Sequence, residues 1–128
     1  MQISVANVRF SGTETFTDNT AQYDGGGIYS VHSTFNTSGN ITVRNNKAER
    51  HGGGIYSDNS TIDIGGIITK IQNNTAQRDG GGIYMRKTYM ILAGINNFTN
   101  NSAIMINNTG VFYNNHVQNI EGGWNDWI

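Results

Sequence analysis

Apolar and polar residues alternate along this chain in short runs, and each run ends at glycine or asparagine. The clearest set is Ile28–Val31, Thr34–Thr37 and Ile41–Arg44, which are followed by His-Ser, Ser-Gly and Asn-Asn. Short runs rich in β-branched residues and bounded by such turn formers predict strands joined by tight turns. The pattern therefore predicts three short strands in 27 residues.

This arrangement repeats along the chain. The triplet Gly25–Gly27, followed by Ile-Tyr, returns at Gly52–Gly54 and Gly80–Gly82, at spacings of 27 and 28 residues. A six-residue motif ending in alanine keeps the same step over residues 16–21, 43–48, 71–76 and 98–103, as do Gly39, Gly66 and Gly94. A fixed period of this length is typical of a solenoid. We expect one all-β domain over residues 1–128, with about five coils at 1–24, 25–51, 52–79, 80–106 and 107–128.

Stacked coils place equivalent residues above one another, about 4.8 Å apart. Two apolar columns are expected to face inward, and one column of asparagines is expected to form an amide ladder at a corner. The apolar columns are Ile28, Ile55, Ile83 and Val111, and Phe16, Val43, Ile71 and Phe98; the asparagines are Asn19, Asn46, Asn74 and Asn101. Small residues at Ala21, Ala48, Ala76 and Ala103 let the same corner close.

Composition removes several classes of function. The formal net charge is −1, so no electrostatic field favours nucleic acid. The chain has no cysteine, which excludes disulfides and thiolate metal sites, and no apolar run reaches the roughly 18 residues of a membrane span. We expect no cofactor and no metal.

The glycine triplets and the asparagine motif resemble the repeat of the polymorphic outer-membrane proteins of chlamydiae, with its paired Gly-Gly-Ala-Ile and Phe-x-x-Asn motifs. The resemblance covers about residues 10–106. Glycine replaces the family's alanine in all three triplets, and only Phe16 and Phe98 keep the phenylalanine. The resemblance implies a right-handed parallel β-helix on a cell surface.

Two outer columns are candidate sites. Asp24, His51 and Asp79 precede the glycine corner, where two carboxylates beside an imidazole bind a cation or hold a proton. The interpretation as solvated corner residues is favoured over this one. Beside them lie Tyr23, Arg50 and Arg78, where Tyr can stack on Arg, but a simple solvated face is the favoured interpretation.

A third column consists of Tyr29, Tyr56, Tyr84 and Phe112. Strand alternation turns these rings outward if Ile28 and its equivalents point inward. An outward aromatic stripe stacks on sugars or packs against another copy of the chain. Local packing over the corner is an equal alternative.

The chain carries more Asn-x-Ser/Thr triplets than chance gives. In a eukaryotic source the excess predicts an extracellular glycoprotein, and asparagine-rich turns of a β-solenoid explain it equally well. The sequons are Asn36, Asn40, Asn59, Asn73, Asn97, Asn100 and Asn107.

The first functional hypothesis is a structural or adhesive protein, extracellular or on a cell surface. The alternative is a carbohydrate-binding or carbohydrate-active β-helix of the pectate lyase type. An enzyme is disfavoured because, outside the column of Asp24, His51 and Asp79, no Arg or Lys–Asp cluster resembles the signatures of lyases or hydrolases. Trp124 and Trp127 crowd one end of the predicted stack, and we expect copies to associate head to tail into a filament.

Overall fold

The computed structural model describes residues 1–4, 6–103 and 110–122, with side chains over 1–4, 6–91 and 97–102. All regular structure in this part of the chain is β-strand, and every pairing is parallel. The strands wind into a β-solenoid of about four turns. The predicted all-β solenoid is confirmed.

The first three coils each contain three strands of three to five residues and a fourth strand of two residues, which the sequence pattern missed. The first coil has β1 (Gln2–Ser4), β2 (Asn7–Phe10), β3 (Glu14–Thr17) and β4 (Thr20–Ala21). The second has β5 (Ile28–Val31), β6 (Thr34–Thr37), β7 (Ile41–Arg44) and β8 (Lys47–Ala48). The third has β9 (Ile55–Asp58), β10 (Thr61–Ile64), β11 (Ile68–Gln72) and β12 (Thr75–Ala76). The fourth has β13 (Ile83–Arg86), and β14 (Thr88–Ala103) continues through its remaining walls; β15 (Gly110–Gly122) follows.

The predicted register holds through the first four coils. Ile28 pairs with Ile55, and Ile55 pairs with Ile83. On the third wall, Val43 pairs with both Phe16 and Ile71, and Ile71 pairs with Phe98. The inward columns are buried from the second coil onward, since Ile28, Ile55, Ile83, Val43, Ile71 and Phe98 are each at most 1% exposed. Strand alternation and a repeated apolar position are enough to define this core.

The asparagine ladder is also confirmed, and its hydrogen bonds run from coil to coil. The Asn46 side-chain amide donates to Asn74 Oδ1 over 3.0 Å, and Asn74 donates to Asn101 Oδ1 over the same distance. Each acceptor oxygen also takes the backbone N–H of the asparagine above it. The second amide hydrogen is donated to a backbone carbonyl of the preceding coil, from Asn46 to Phe16 O and from Asn74 to Val43 O. These side chains are at most 1% exposed, so the ladder satisfies amides that would otherwise be costly to bury.

The glycine triplet packs directly against this ladder. A Cβ built on Gly54 lies 3.0 Å from Asn74 Cγ and 2.5 Å from Gly82 O, and one on Gly27 lies 2.9 Å from Asn46 Nδ2. The third residue of each triplet therefore has no room for the alanine of the related repeat. The glycine triplet and the asparagine motif therefore form the two sides of one corner. The first glycine, at Gly25, Gly52 and Gly80, adopts a positive φ of 65–71°.

One coil carries an extra residue. Thr37 pairs with Ile64, but Ile41 pairs with Thr69, so the insertion falls between these pairs. Asn40 Oδ1 accepts the N–H groups of both Ile67 and Ile68, which holds the longer turn in place. The insertion leaves Ile67 73% exposed.

The prediction for the last coil is wrong in register. Val111 pairs with Tyr89 instead of stacking on Ile83, and Phe112 pairs with Met90 instead of Tyr84. β15 thus begins on the second wall. The glycine triplet that turns the chain onto the first wall is absent here, because residues 108–110 are Asn-Thr-Gly. The continuous run Val-Phe-Tyr at residues 111–113 has no apolar–polar alternation, so it is compatible with either wall and does not define the register.

Candidate functional site

The outer face of the first wall carries a stack of three tyrosines. Tyr29 and Tyr56 have ring centroids 5.1 Å apart and an interplanar angle of 8°, and Tyr56 and Tyr84 have values of 5.2 Å and 7°. The rings follow the register of β5, β9 and β13, so the spacing of the coils sets the spacing of the rings. All three side chains are partly exposed. We call this set the tyrosine stack.

The stack limits what these rings can bind. Tyr56 has a ring on each face, so this middle residue presents its ring edge to solvent instead of a face. A sugar that packs on an aromatic face has no such surface at Tyr56. Stacking of sugars along the stripe, one of the two predicted uses, is therefore disfavoured. Phe112 does not extend the stack, because its backbone pairs with Met90.

The structure brings Asp24, His51 and Asp79 together at the adjoining corner. Asp24 Oδ1 accepts the His51 backbone N–H at 3.1 Å. His51 Nδ1 lies 2.8 Å from Asp79 Oδ2, although the two groups are not aligned as a hydrogen bond. The His51 ring also lies 4.7 Å from the Tyr84 ring centroid, which joins this column to the tyrosine stack.

Arg50 covers the outer side of the same corner. Its guanidinium donates to Asp24 Oδ2 at 2.6 Å and lies 4.9 Å from the centroid of the Tyr23 ring. The Tyr–Arg stacking, the less favoured of the two interpretations from sequence, is therefore present between Tyr23 and Arg50. Both oxygens of Asp24 are occupied by these contacts, so the column connects neighbouring coils. Arg78, the third member of that outer column, is exposed.

A second ion pair lies on the other side of the tyrosine stack. Arg86 donates to both oxygens of Asp58, from Nε at 3.1 Å and from Nη2 at 2.6 Å. The two residues occupy the same column on neighbouring strands, where a bidentate pair bridges the coils. This pair raises the pKa of Arg86, so the arginine stays charged.

Burial and nearby carboxylates change the acidity of the tyrosine stack. Burial, together with the charges of Asp24 and Asp58, raises the pKa of Tyr56 to about 12 from an ordinary value of 10.0. Burial and the charge of Asp79 raise the pKa of Tyr84 as well. The folded protein therefore favours the neutral phenol.

We expect the stack to lower stability at high pH. A raised folded-state pKa means that the folded chain binds more protons than the unfolded chain above pH 10, so the free energy of unfolding falls as the pH rises from about 10 to about 12. A pH titration followed by tyrosinate absorbance should show a phenol that ionises well above pH 10. Tyr56→Phe should remove this step, since it removes the hydroxyl group but keeps the stacked ring. An unchanged late step in Tyr56→Phe would assign it to another residue.

Among the residues that the structure describes, no group of three or more His, Asp or Glu side chains is placed to hold a metal ion. Over the same residues there is no helix with the length and apolarity needed to cross a bilayer.

The predicted sequons differ in exposure. Asn73 and Asn100 are exposed, with φ of 55°, and point away from the ladder as expected. Asn59 is exposed as well, whereas Asn36, Asn40 and Asn97 are partly buried. Asn107, Trp124 and Trp127 lie outside the described residues.

Sequence reasoning missed a column of polar residues at the corner between the first and second walls. Ser33 and Ser60 are buried there and hydrogen-bonded to each other, and Thr88 holds the same position in the fourth coil. His32, Asn59 and Lys87 precede them with positive φ of 48–50°. The recurrence of Ser, Ser and Thr at the repeat spacing was the signal that could have identified this corner.

Comparison with protein families matches residues 15–31, 40–58 and 69–86 to the Chlamydia polymorphic membrane protein repeat. Three segments of the chain are therefore similar to this repeat, as the glycine and asparagine motifs predicted. Each match joins one asparagine ladder position to the glycine triplet and first strand of the next coil, which are the groups in contact at the corner. The polymorphic membrane protein repeat and the β-solenoid together support a surface-type repeat protein. Comparisons with curated proteins and with solved structures gave no significant match.

Proposed function

We propose that this chain is a structural and adhesive rod, extracellular or on a cell surface, whose copies assemble end to end. The repeat family supports the surface role. Coil-to-coil ladders support the rod, because hydrogen bonds and packed columns connect each coil to the next along a single axis.

The observation that carries end-to-end assembly is the open face of the first coil. Val8, Phe10 and Phe16 are only partly buried, whereas Phe35 and Val43 directly below them are fully buried. The Phe10 ring packs on Phe35 at 5.7 Å and on Phe16 at 6.4 Å, so these side chains continue the core up to this face. An open core section bordered by unpaired strand edges favours a further coil above it. A coil of a second copy is the proposed occupant, in a heterologous contact that does not close.

The edge of β2 offers a direct test of this assembly. Thr34, which pairs with Asn7, donates its N–H upward to Ala6 O in the coil above. The Asn7 N–H therefore points away from the stack. We expect Asn7→Pro to remove this donor and abolish filaments without changing the thermal unfolding of the single chain. Electron microscopy and sedimentation velocity distinguish filaments from single chains.

Asn7→Ala is the matched control, since it keeps the backbone N–H, and it should still assemble. Discrete monomers of the natural full-length protein, with a further coil of the same polypeptide covering this face, would contradict end-to-end assembly. Filaments of Asn7→Pro identical to the parent would place the contact elsewhere.

We also propose that the chain is not an enzyme. The two oxygens of Asp24 are occupied by Arg50 and by the His51 backbone, which leaves this carboxylate a connecting role at the corner. Cleavage of polysaccharides by the purified chain, lost on Asp79→Asn, would contradict this proposal.

We further propose that Asn73 and Asn100 carry glycans if the source is eukaryotic. Both are exposed, and both are directed outward because the next residue, Asn74 or Asn101, is directed into the ladder. Mass spectrometry of protein from its natural source should find sugar on these residues. Bare asparagine at both positions would remove the glycoprotein proposal.

A further inference from the structure

A polar groove runs along the outside of the corner between the first and second walls. We call it the corner groove. One bank is the column His32, Asn59 and Lys87, and the other is the column Thr34, Thr61 and Tyr89; between them lies an open space of about 490 Å³. The groove crosses three coils, so its banks extend over two coil spacings, about 10 Å. This volume lies in the range of small-ligand sites.

The floor of the groove is closed by its own hydrogen bonds. Ser33 Oγ donates to Val31 O at 2.7 Å, and Ser60 Oγ donates to Asp58 O at 2.9 Å. Ser60 Oγ also accepts the Ser33 N–H. The floor hydroxyls are therefore engaged, and a ligand would contact the banks.

The first bank presents a fixed donor and acceptor. The Asn59 side-chain nitrogen lies 2.8 Å from His32 Nδ1. An amide nitrogen only donates, so Nδ1 is the acceptor and the imidazole proton is on Nε2. His32 then offers an Nε2–H donor, and Asn59 offers Oδ1, which has no protein partner in the described part of the chain.

A positively charged side chain and an aromatic ring lie at the other end of the groove. Lys87 is exposed and has no ion-pair partner within the described residues, whereas its neighbour Arg86 is neutralised by Asp58. Across from Lys87, Tyr89 is 45% exposed and occupies the position that Thr34 and Thr61 hold in the coils above. This end therefore combines one cation with one partly exposed aromatic ring.

We propose that the corner groove binds an acidic saccharide, a chain of uronic-acid sugars. Hydroxyl, amide and imidazole groups match sugar hydroxyls, the Tyr89 ring packs against the C–H face of a pyranose, and Lys87 pairs with its carboxylate. An extended peptide fits less well, because the backbone here is already paired between coils, as in His32 N to Asp58 O and Tyr89 N to Ser60 O. This proposal deepens the adhesive part of the function proposed above and does not depend on end-to-end assembly.

The test measures binding of oligogalacturonate to the purified chain by calorimetry. Tyr89→Thr and Lys87→Asn each install the residue that the same column carries one coil earlier, at Thr61 and Asn59, so both variants should fold. We expect each to bind about tenfold more weakly than the parent. Tyr23→Thr and Lys70→Asn, an exposed aromatic and an exposed lysine outside the groove, should bind as the parent does. Because Asn59 is also a sequon, the protein used is shown by mass spectrometry to be bare at this residue.

Four results would overturn the proposal. These are no binding of oligogalacturonate, unchanged affinity in both groove variants, equal affinity for the methyl-esterified neutral oligosaccharide, and equal affinity for a polyglutamate peptide. The last would make the groove a non-specific anion surface. None of them alters the sedimentation or microscopy of the rod, so failure here is distinguishable from failure of end-to-end assembly.

Discussion

Gly53→Ala is expected to destabilise the chain by about 3 kcal/mol or more. A Cβ on this residue would lie 2.4 Å from Gly81 O and 2.4 Å from Thr75 O, and both atoms belong to the backbone. No side-chain rotation relieves such a contact. The coils would have to separate, which stretches the 3.0 Å hydrogen bond from Gly53 N to Gly80 O. Urea unfolding followed by circular dichroism measures the loss.

Gly65→Ala provides the matched control. A Cβ there meets Thr37 O at 3.4 Å, an ordinary contact, and the residue is exposed without a positive φ. Its stability should change by less than about 1 kcal/mol, with a gain as the expected sign because alanine restricts the unfolded chain. Equal losses for the two variants would show that the close packing of the glycine corner is not the cause.

Asn74→Ala is expected to cost about 3 kcal/mol. The side chain donates to Val43 O and to Asn101 Oδ1, and its oxygen accepts both the backbone N–H and the side-chain amide of Asn46. Alanine removes all four hydrogen bonds and leaves the Asn46 N–H buried without its acceptor. Thermal and urea unfolding should both register the change.

Asn73→Gly is the control for this position, since it alters the adjacent asparagine on the outside of the same corner. Asn73 is exposed and has a φ of 55°, a conformation that glycine adopts freely. Its stability should change by less than about 0.5 kcal/mol. A neutral Asn74→Ala would mean that the ladder adds nothing to the stack.

The stacking of the coils was predictable because the inward apolar residues and the ladder asparagines both recur at the repeat spacing. Ile28, Ile55 and Ile83 recur at the repeat spacing, and a residue that recurs in every coil must occupy the same column when coils stack in parallel. The asparagine ladder followed for the same reason, since Asn46 and Asn74 satisfy each other only in that register. The prediction was wrong where the period is lost: without a glycine triplet, Val111 pairs with Tyr89.

For the candidate sites, the sequence predicted which residues share a column but not which of their atoms are in contact. Asp24, His51 and Asp79 were expected to adjoin, and they do. Which atoms meet depends on side-chain rotamers, so the pairing of Arg50 with both Asp24 and the Tyr23 ring required the structure. The same holds for the tyrosines, whose parallel stacking leaves ring edges outward and could not be inferred from an outward-facing column.

The sequence by itself determined the coil length, the inward columns and the corner where glycine meets asparagine, because these follow from a repeated pattern and strand alternation. The tertiary structure decided what lies outside the wall. The corner groove joins Lys87 and Tyr89 to His32, more than 50 residues earlier, across three coils. Apart from the repeated tyrosines, most outer side chains differ from coil to coil, so their contacts depend on which residues each coil places side by side.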